Sequence, residues 1–189
     1  AAVTERTKLV MLGNPLPLSD DPVRLAEELA MIDLMSKGRL VSGFVRGGGV
    51  ENIAANSNPV FNRERFNEAH DLIIAAWTKP GPFRWERDHF QYRCVNPWAV
   101  PLQKPHPPFF LGGGSDQAKD ISAKHSTVHL FWGDKPDVIA ENIKDMRKRA
   151  AKHGREDALG FGMRLQIVCA ESEDEAWDDA HKLVAGAKK

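Results

Sequence analysis

Residues 21–45 read DPVRLAEELAMIDLMSKGRLVSGFV, and this stretch decides the fold. Asp21 suits a helix cap, because its carboxylate can accept from the free N–H groups of a first turn, and Pro22 fits the first helical position. Leu25, Leu29 and Ile32 recur on one stripe, and Gly38 supplies the stop. Arg39 to Val45 then reads as a buried strand ending in Arg46-Gly47-Gly48-Gly49. Helix followed by buried strand is the repeating half of a parallel α/β sheet, since parallel strands need a crossover between them.

The same alternation extends both ways. Before it, Lys8 to Gly13 (KLVMLG) is a short apolar run, and the loop Asn14 to Asp21 leads into the helix. After it come a helix showing Phe66, Ala69, Ile73 and Trp77, and then Thr78 to Pro108, dense in proline and aromatics, which reads as an inserted surface hairpin plus an extended approach to the next strand. Phe109 to Leu111 run into Gly112-Gly113-Gly114-Ser115 and a short helix through Ala118 and Ile121; Val128 to Trp132 form a strand ending at Gly133. Asp134 and Pro136 open the longest helix, with Ile139, Ile143, Met146 and Ala150 inward and Gly154 at its close. A strand is expected over Phe161 to Cys169, and Ser172 with Glu175 forms a capping box for a last helix presenting Ala176, Ala180 and Leu183 to the core. Five strand-helix units imply one domain, residues 1–189, with a mainly parallel sheet. Periodicity leaves open whether that sheet is doubly wound or part of a (β/α)8 barrel.

Composition narrows the function. With 189 residues, 42% hydrophobic and 28% charged, the chain can bury a sizeable core. Lys+Arg and Asp+Glu each count 26, so there is no basic surplus for nucleic-acid phosphates. Cys94 and Cys169 show no CxxC or Cys/His spacing, no apolar run matches a membrane span, and AAVTERTK lacks the apolar core of a signal peptide. The expectation is a cytoplasmic protein that binds neither membrane nor nucleic acid.

In such sheets ligands bind past the carboxyl ends of the strands. Gly112-Gly113-Gly114-Ser115 is the leading candidate there: glycines let backbone approach an anion, and a serine-capped helix N-terminus favours phosphate, although a plain glycine turn has the same letters. Neither the P-loop nor the G-x-G-x-x-G pattern is present. Arg46 either reaches an anionic ligand or pairs with a loop acid such as Glu51. Arg164, inside the apolar run FGMRLQIVC, either faces inward and demands a partner or points outward to a helix acid; Gln166 shares its face. Trp132 and Trp98 offer aromatic faces for stacking. The seven histidines show no ligand spacing along the chain, so no metal site is expected, and no Ser-His-Asp or Cys-His arrangement supports hydrolysis.

DPVRLAEELAMIDLMSKGRLVSGFVRG, RERFNEAHDLIIAAWT, PFRWERDHFQYR and NPWAVPLQKPHPPFFLGGGS follow one another in an order and spacing that resembles the luciferase-like flavin monooxygenases. SAKHSTVHLFWGDKPDVIAENIKDMRKRAAKHGRE and GFGMRLQIVCAESEDEAW look like the alkanesulfonate monooxygenase branch. The resemblance implies a (β/α)8 TIM barrel, incomplete here, of which this chain supplies the third to seventh strands. It further implies reduced FMN and O2 as reactants, a small organic or organosulfur substrate, a separate NAD(P)H:flavin reductase as partner, and a homo-oligomer. FMN phosphate would rest on Gly113, Gly114 and Ser115, with Arg46 and Trp132 at the rim. Arg164 matches a family arginine that stabilises a developing anion, and Gln166 stands where the sulfonate branch has a histidine, which removes a titratable group from the pair. Two other readings accompany this one: a deazaflavin-dependent oxidoreductase of the same fold, and a non-catalytic flavin-binding protein.

Overall fold

The computed structural model describes residues 2–187. Five parallel strands form one sheet: β1 (Leu9–Pro15), β2 (Leu40–Val45), β5 (Phe109–Gly112), β6 (Val128–Trp132) and β7 (Gly160–Arg164). A hairpin of β3 (Phe83–Glu86) and β4 (Gln91–Val95) pairs antiparallel as a separate sheet. The helices are α1 (Pro22–Met35), α2 (Gly49–Ala54), α3 (Asn62–Thr78), α4 (Asp116–His125), α5 (Pro136–Ala151) and α6 (Glu173–Ala187).

The strand order β1-β2-β5-β6-β7 decides between the two α/β architectures. A doubly wound sheet reverses direction at a switch point, whereas here each parallel strand is laid beside the previous one. Right-handed crossovers then place the connecting helices α1, α3, α4 and α5 on one face, and the strands describe an arc of a barrel. At the start of that arc β2 approaches β1 closely: a Cβ on Gly43 would lie 2.6 Å from the Met11 carbonyl oxygen, so only glycine fits.

The sequence-level helix signals act as expected. Asp21 accepts from the Arg24 N–H at 3.1 Å, and the Gly38 N–H closes α1 on the Asp33 carbonyl at 2.9 Å. Leu29, Leu40, Phe44, Leu72, Ile73 and Phe109 are fully buried between sheet and helices, and the Trp77 indole N–H donates to the Ala26 carbonyl at 2.9 Å, locking α3 to α1. A smaller cluster of Phe131, Met146, Ala150 and Leu159 seats α5. On β6, His129 is buried and meets Ser122 Oγ at 2.9 Å; burial and the nearby Lys119 push its pKa down to about 4, so it sits neutral in the core.

Four expectations need correction. The longest helix is α3, with 17 residues, and not α5, with 16. The single helix expected after Arg46 is two, a short α2 and then α3. The strand expected over Phe161 to Cys169 stops at Arg164, because β6 ends at Trp132, its partner, and among the described residues no strand lies on the other side to continue the ladder. The last helix does start at Ser172, whose Oγ accepts from the Glu175 N–H at 3.2 Å, but it buries no side chain: Ala176 and Ala180 are half-covered and Leu183 is exposed.

Two buried carboxylates hold the inserted segment on the helical layer. Glu68, on α3, accepts from the Trp85 indole N–H at 3.2 Å and from the backbone N–H groups of His89 and Phe90, both at 2.9 Å. Asp33, on α1, accepts from the Gln103 N–H at 3.0 Å and from its side-chain amide at 2.7 Å. Replacing Glu68 by alanine strands three donors in an apolar setting, and we expect Glu68→Ala to cost about 2 to 4 kcal/mol in urea unfolding. A loss under about 0.5 kcal/mol, the usual range for a surface substitution, would contradict this anchoring role.

Candidate cofactor site at the carboxyl ends of the strands

Because the five strands run parallel, the residues that follow them collect on one rim, and there they border a cavity of about 1030 Å³. That volume is at the upper end of the range of small-molecule and cofactor sites. Arg46 comes directly after β2, Gly113 and Gly114 directly after β5, Ser115 caps α4, and Trp132 and Arg164 are the last residues of β6 and β7. All six line the cavity. Its walls are apolar, from Leu12, Phe110, Leu130, Met163 and Leu165.

The glycine loop has the geometry of an anion cradle. Gly113 holds φ +150°, and a Cβ there would come within 2.7 Å of the Ala118 Cβ, whereas Gly114 faces open space. Ser115 Oγ accepts from the Ala118 N–H at 3.3 Å and its carbonyl accepts from Lys119, so the Asp116 and Gln117 N–H groups of the first turn keep no intrahelical acceptor. The macrodipole adds positive potential at that end. Asp116 would oppose an anion, but Arg149 Nη2 takes it up at 2.6 Å while also bonding Asp120 at 2.7 Å and Asp145 at 3.1 Å. Arg149 thus cancels the acidic first turn of α4 and fixes α4 to α5.

Neither of the two arginines makes the acid pairing considered for it. Glu51 accepts from the Gly48 N–H, and none of the salt bridges among the described residues involves Arg46, Arg63 or Arg164. Arg46 is exposed at the cavity mouth. Arg164 is exposed too, and its partner is an aromatic ring. Strand register places Arg164 opposite Trp132, and the guanidinium lies 4.8 Å from the indole centroid.

Gln166 is not part of this assembly. It lies beyond the end of β7, exposed, and does not border the cavity, whereas its neighbours Leu165 and Ile167 do. Trp98 stands fully out in solvent on the inserted segment, where its backbone N–H donates to Glu27 at 2.7 Å. The sequence reading missed Arg63 and Asn67. They sit four residues apart near the start of α3 and reach the cavity beside Phe66. Reading α3 by its buried stripe gives no signal for two polar residues that matter only because of where that helix begins. Arg46 and Arg63 also border a second hollow of about 460 Å³, into whose wall Asn52 and Asn62 are built.

The sequence matches the profile of the family described as luciferase-like monooxygenase over residues 1–189. The chain belongs to the luciferase-like monooxygenase family. It is similar to riboflavin lyase RcaE, solved with modified FMN and riboflavin (20% identity, TM-score 0.82), covering 94% of this chain and 45% of that one. It is also similar to monooxygenase RslO1 from Streptomyces bottropensis (24% identity, TM-score 0.78, 96% and 56% covered). An F420-dependent secondary alcohol dehydrogenase, solved with an F420-acetone adduct, matches at 14% identity and TM-score 0.82 over 94% and 55%. The chain thus spans about half the length of the solved structures it matches, and its arc is the corresponding part of a luciferase-like (β/α)8 barrel.

The glycine loop supplies its own test. Gly113→Ala should destabilise the protein by about 1 to 3 kcal/mol in thermal or urea unfolding, since it combines an unfavourable φ with a clash. Gly114→Ala, with nothing within 4 Å of its Cβ, should change stability by less than about 0.5 kcal/mol. Equal effects would show that the loop does not hold this conformation.

Proposed function

We propose that this chain forms the cofactor-phosphate side of an FMN-dependent, two-component monooxygenase. In this reading the protein takes reduced FMN from a separate NAD(P)H:flavin reductase and uses O2 to oxygenate a small organic or organosulfur substrate. The observation that carries it is the glycine loop at the N-terminus of α4, open to a large apolar cavity flanked by cationic side chains that have no acidic partner. Cytoplasmic residence suits the two exposed free thiols, Cys94 and Cys169. Association into a homo-oligomer through the helical layer belongs to the same reading. Among the described residues no helix is long and apolar enough to cross a membrane.

Bound FMN would supply the electrons that activate O2. The chain's own residues bind, orient and shield. Gly113, Gly114 and Ser115 would hold the phosphate at the helix N-terminus, where positive potential is fixed in place rather than recruited on binding. Arg46 would add a full positive charge beside it. Trp132 would offer an apolar face, and Arg164, held over that indole, would stabilise negative charge developing at the cavity rim. The apolar wall of Leu12, Phe110, Leu130 and Met163 would keep water from the reacting centre. Gln166 has no role in this scheme.

The likeness to an F420-dependent dehydrogenase supports a second reading, hydride transfer with a deazaflavin in the same cavity. The two readings differ in the cofactor recovered with the protein and in whether turnover consumes O2.

Anaerobic titration with oxidised and reduced FMN, followed by absorbance and flavin fluorescence, tests the primary reading. Saturable binding that favours reduced FMN is expected, and Ser115→Ala and Arg46→Ala should each weaken it about tenfold, roughly the contribution of one charge-assisted hydrogen bond. No saturable binding, or variants indistinguishable from the parent, would overturn the proposal.

A further inference from the structure

Several buried polar atoms on the helical side of the sheet lack a hydrogen-bond partner among the described residues, and the Nε2 of His70 is the one beside further metal-ligating side chains. His70, on α3, has a side chain only 1% exposed, and its Nε2 makes no hydrogen bond. Its Nδ1 stands 3.9 Å from Asp71 Oδ1. A buried ring with one nitrogen unsatisfied and the other facing a carboxylate beyond ordinary hydrogen-bond distance raises the question of what ligand would satisfy it.

The surroundings supply an answer. His125, the last residue of α4, lies against His70 with ring centroids 4.7 Å apart. One ligand atom each from His70, Asp71 and His125 fall within 4.8 Å of one another. Two imidazoles and a carboxylate are the donor set of a borderline divalent cation such as Zn²⁺, which binds His nitrogen and Asp oxygen at about 2.0 to 2.2 Å. Drawing the three atoms onto one ion needs a shift of about 1 Å, within reach of His125 and Asp71, both only half-buried.

The outer layer is already arranged. His70 is wedged among Phe44, Phe66 and Phe109, with centroid distances of 6.0, 6.4 and 5.2 Å, so its ring is held in place. Asp71 gives its other oxygen, Oδ2, to Arg87 at 3.2 Å, leaving Oδ1 on the His70 side. Metal-binding carboxylates are commonly oriented by such a second bond. The nearby Arg155 spends its guanidinium on the Ala123 and Ser126 carbonyls, at 2.9 and 2.8 Å.

We propose that His70, Asp71 and His125 form a Zn²⁺-type metal site that pins the end of α4 to the middle of α3, its fourth position open to solvent. The site is independent of the cofactor reading. Its consequence is mechanical, since α3 also carries Arg63 to the cavity mouth, and a cation tying α3 to α4 would limit movement of that helix against the cofactor loop at the other end of α4.

Calorimetric titration of the metal-free chain with Zn²⁺, paired with thermal unfolding, tests the site. One equivalent should bind saturably and raise the unfolding temperature. His125→Ala and Asp71→Asn, changes at half-buried positions that leave the aromatic pocket intact, should weaken binding about tenfold or more and abolish the thermal shift. His181→Ala, remote on α6, should leave both unchanged. Absence of saturable Zn²⁺ binding in the parent chain would overturn the proposal, as would undiminished binding in His125→Ala with circular dichroism showing a folded variant.

Discussion

Parallel pairing of consecutive strands is the constraint on which everything else in this chain rests. Each parallel partner requires a crossover, each crossover is right-handed, and five strands added in one direction send every post-strand loop to the same rim. Arg46, the Gly112–Ser115 loop, Trp132 and Arg164 are dispersed over more than half the sequence, yet the ladder alone brings them to one cavity. Strand register also selects the contact between Arg164 and Trp132, since cross-strand partners at the end of β6 and β7 must lie side by side.

The cavity keeps its shape because the helical layer behind it is fastened by a few polar groups in an otherwise apolar interior. Glu68 and Asp33 use buried carboxylate oxygens to accept from the inserted segment, turning a proline-rich stretch with little regular structure into a fixed cover over α1 and α3. Tyr92 completes this by donating to Asp21, the same carboxylate that caps α1; burial and that bond push its hydroxyl pKa up, so it remains a donor. Arg149 does the equivalent at the other end, neutralising Asp116 at the helix terminus where the proposed cofactor site needs positive potential. Apolar burial supplies the stability, and these polar links set the relative placement of the elements.

Much of the fold was legible in the sequence because its signals are local. Asp21-Pro22, Gly38 and Ser172 act through contacts within a few residues, so the chain itself announces the ends of α1 and the start of α6. The loop at Gly112–Ser115 was legible for the same reason. What failed depends on neighbours. The length of β7 depends on β6, and the exposure of α6 depends on what packs against it, neither of which periodicity records. Arg63 escaped notice, and His70 reads along the sequence as an ordinary helix histidine, because the surroundings of each are set by residues remote in sequence: the cavity mouth for one, His125 for the other. Even the choice between barrel and doubly wound sheet needed strand order, since either architecture repeats the same unit.

The central claim is that the cofactor phosphate sits on the N-terminus of α4 within this arc. Amide hydrogen exchange followed by mass spectrometry, with and without reduced FMN under anaerobic conditions, addresses it directly. The account requires protection concentrated at residues 112–118, with smaller protection at 44–47 and 130–133, and none in the β3–β4 hairpin. Unchanged exchange at 112–118 while another segment becomes protected would place the cofactor elsewhere and contradict the account.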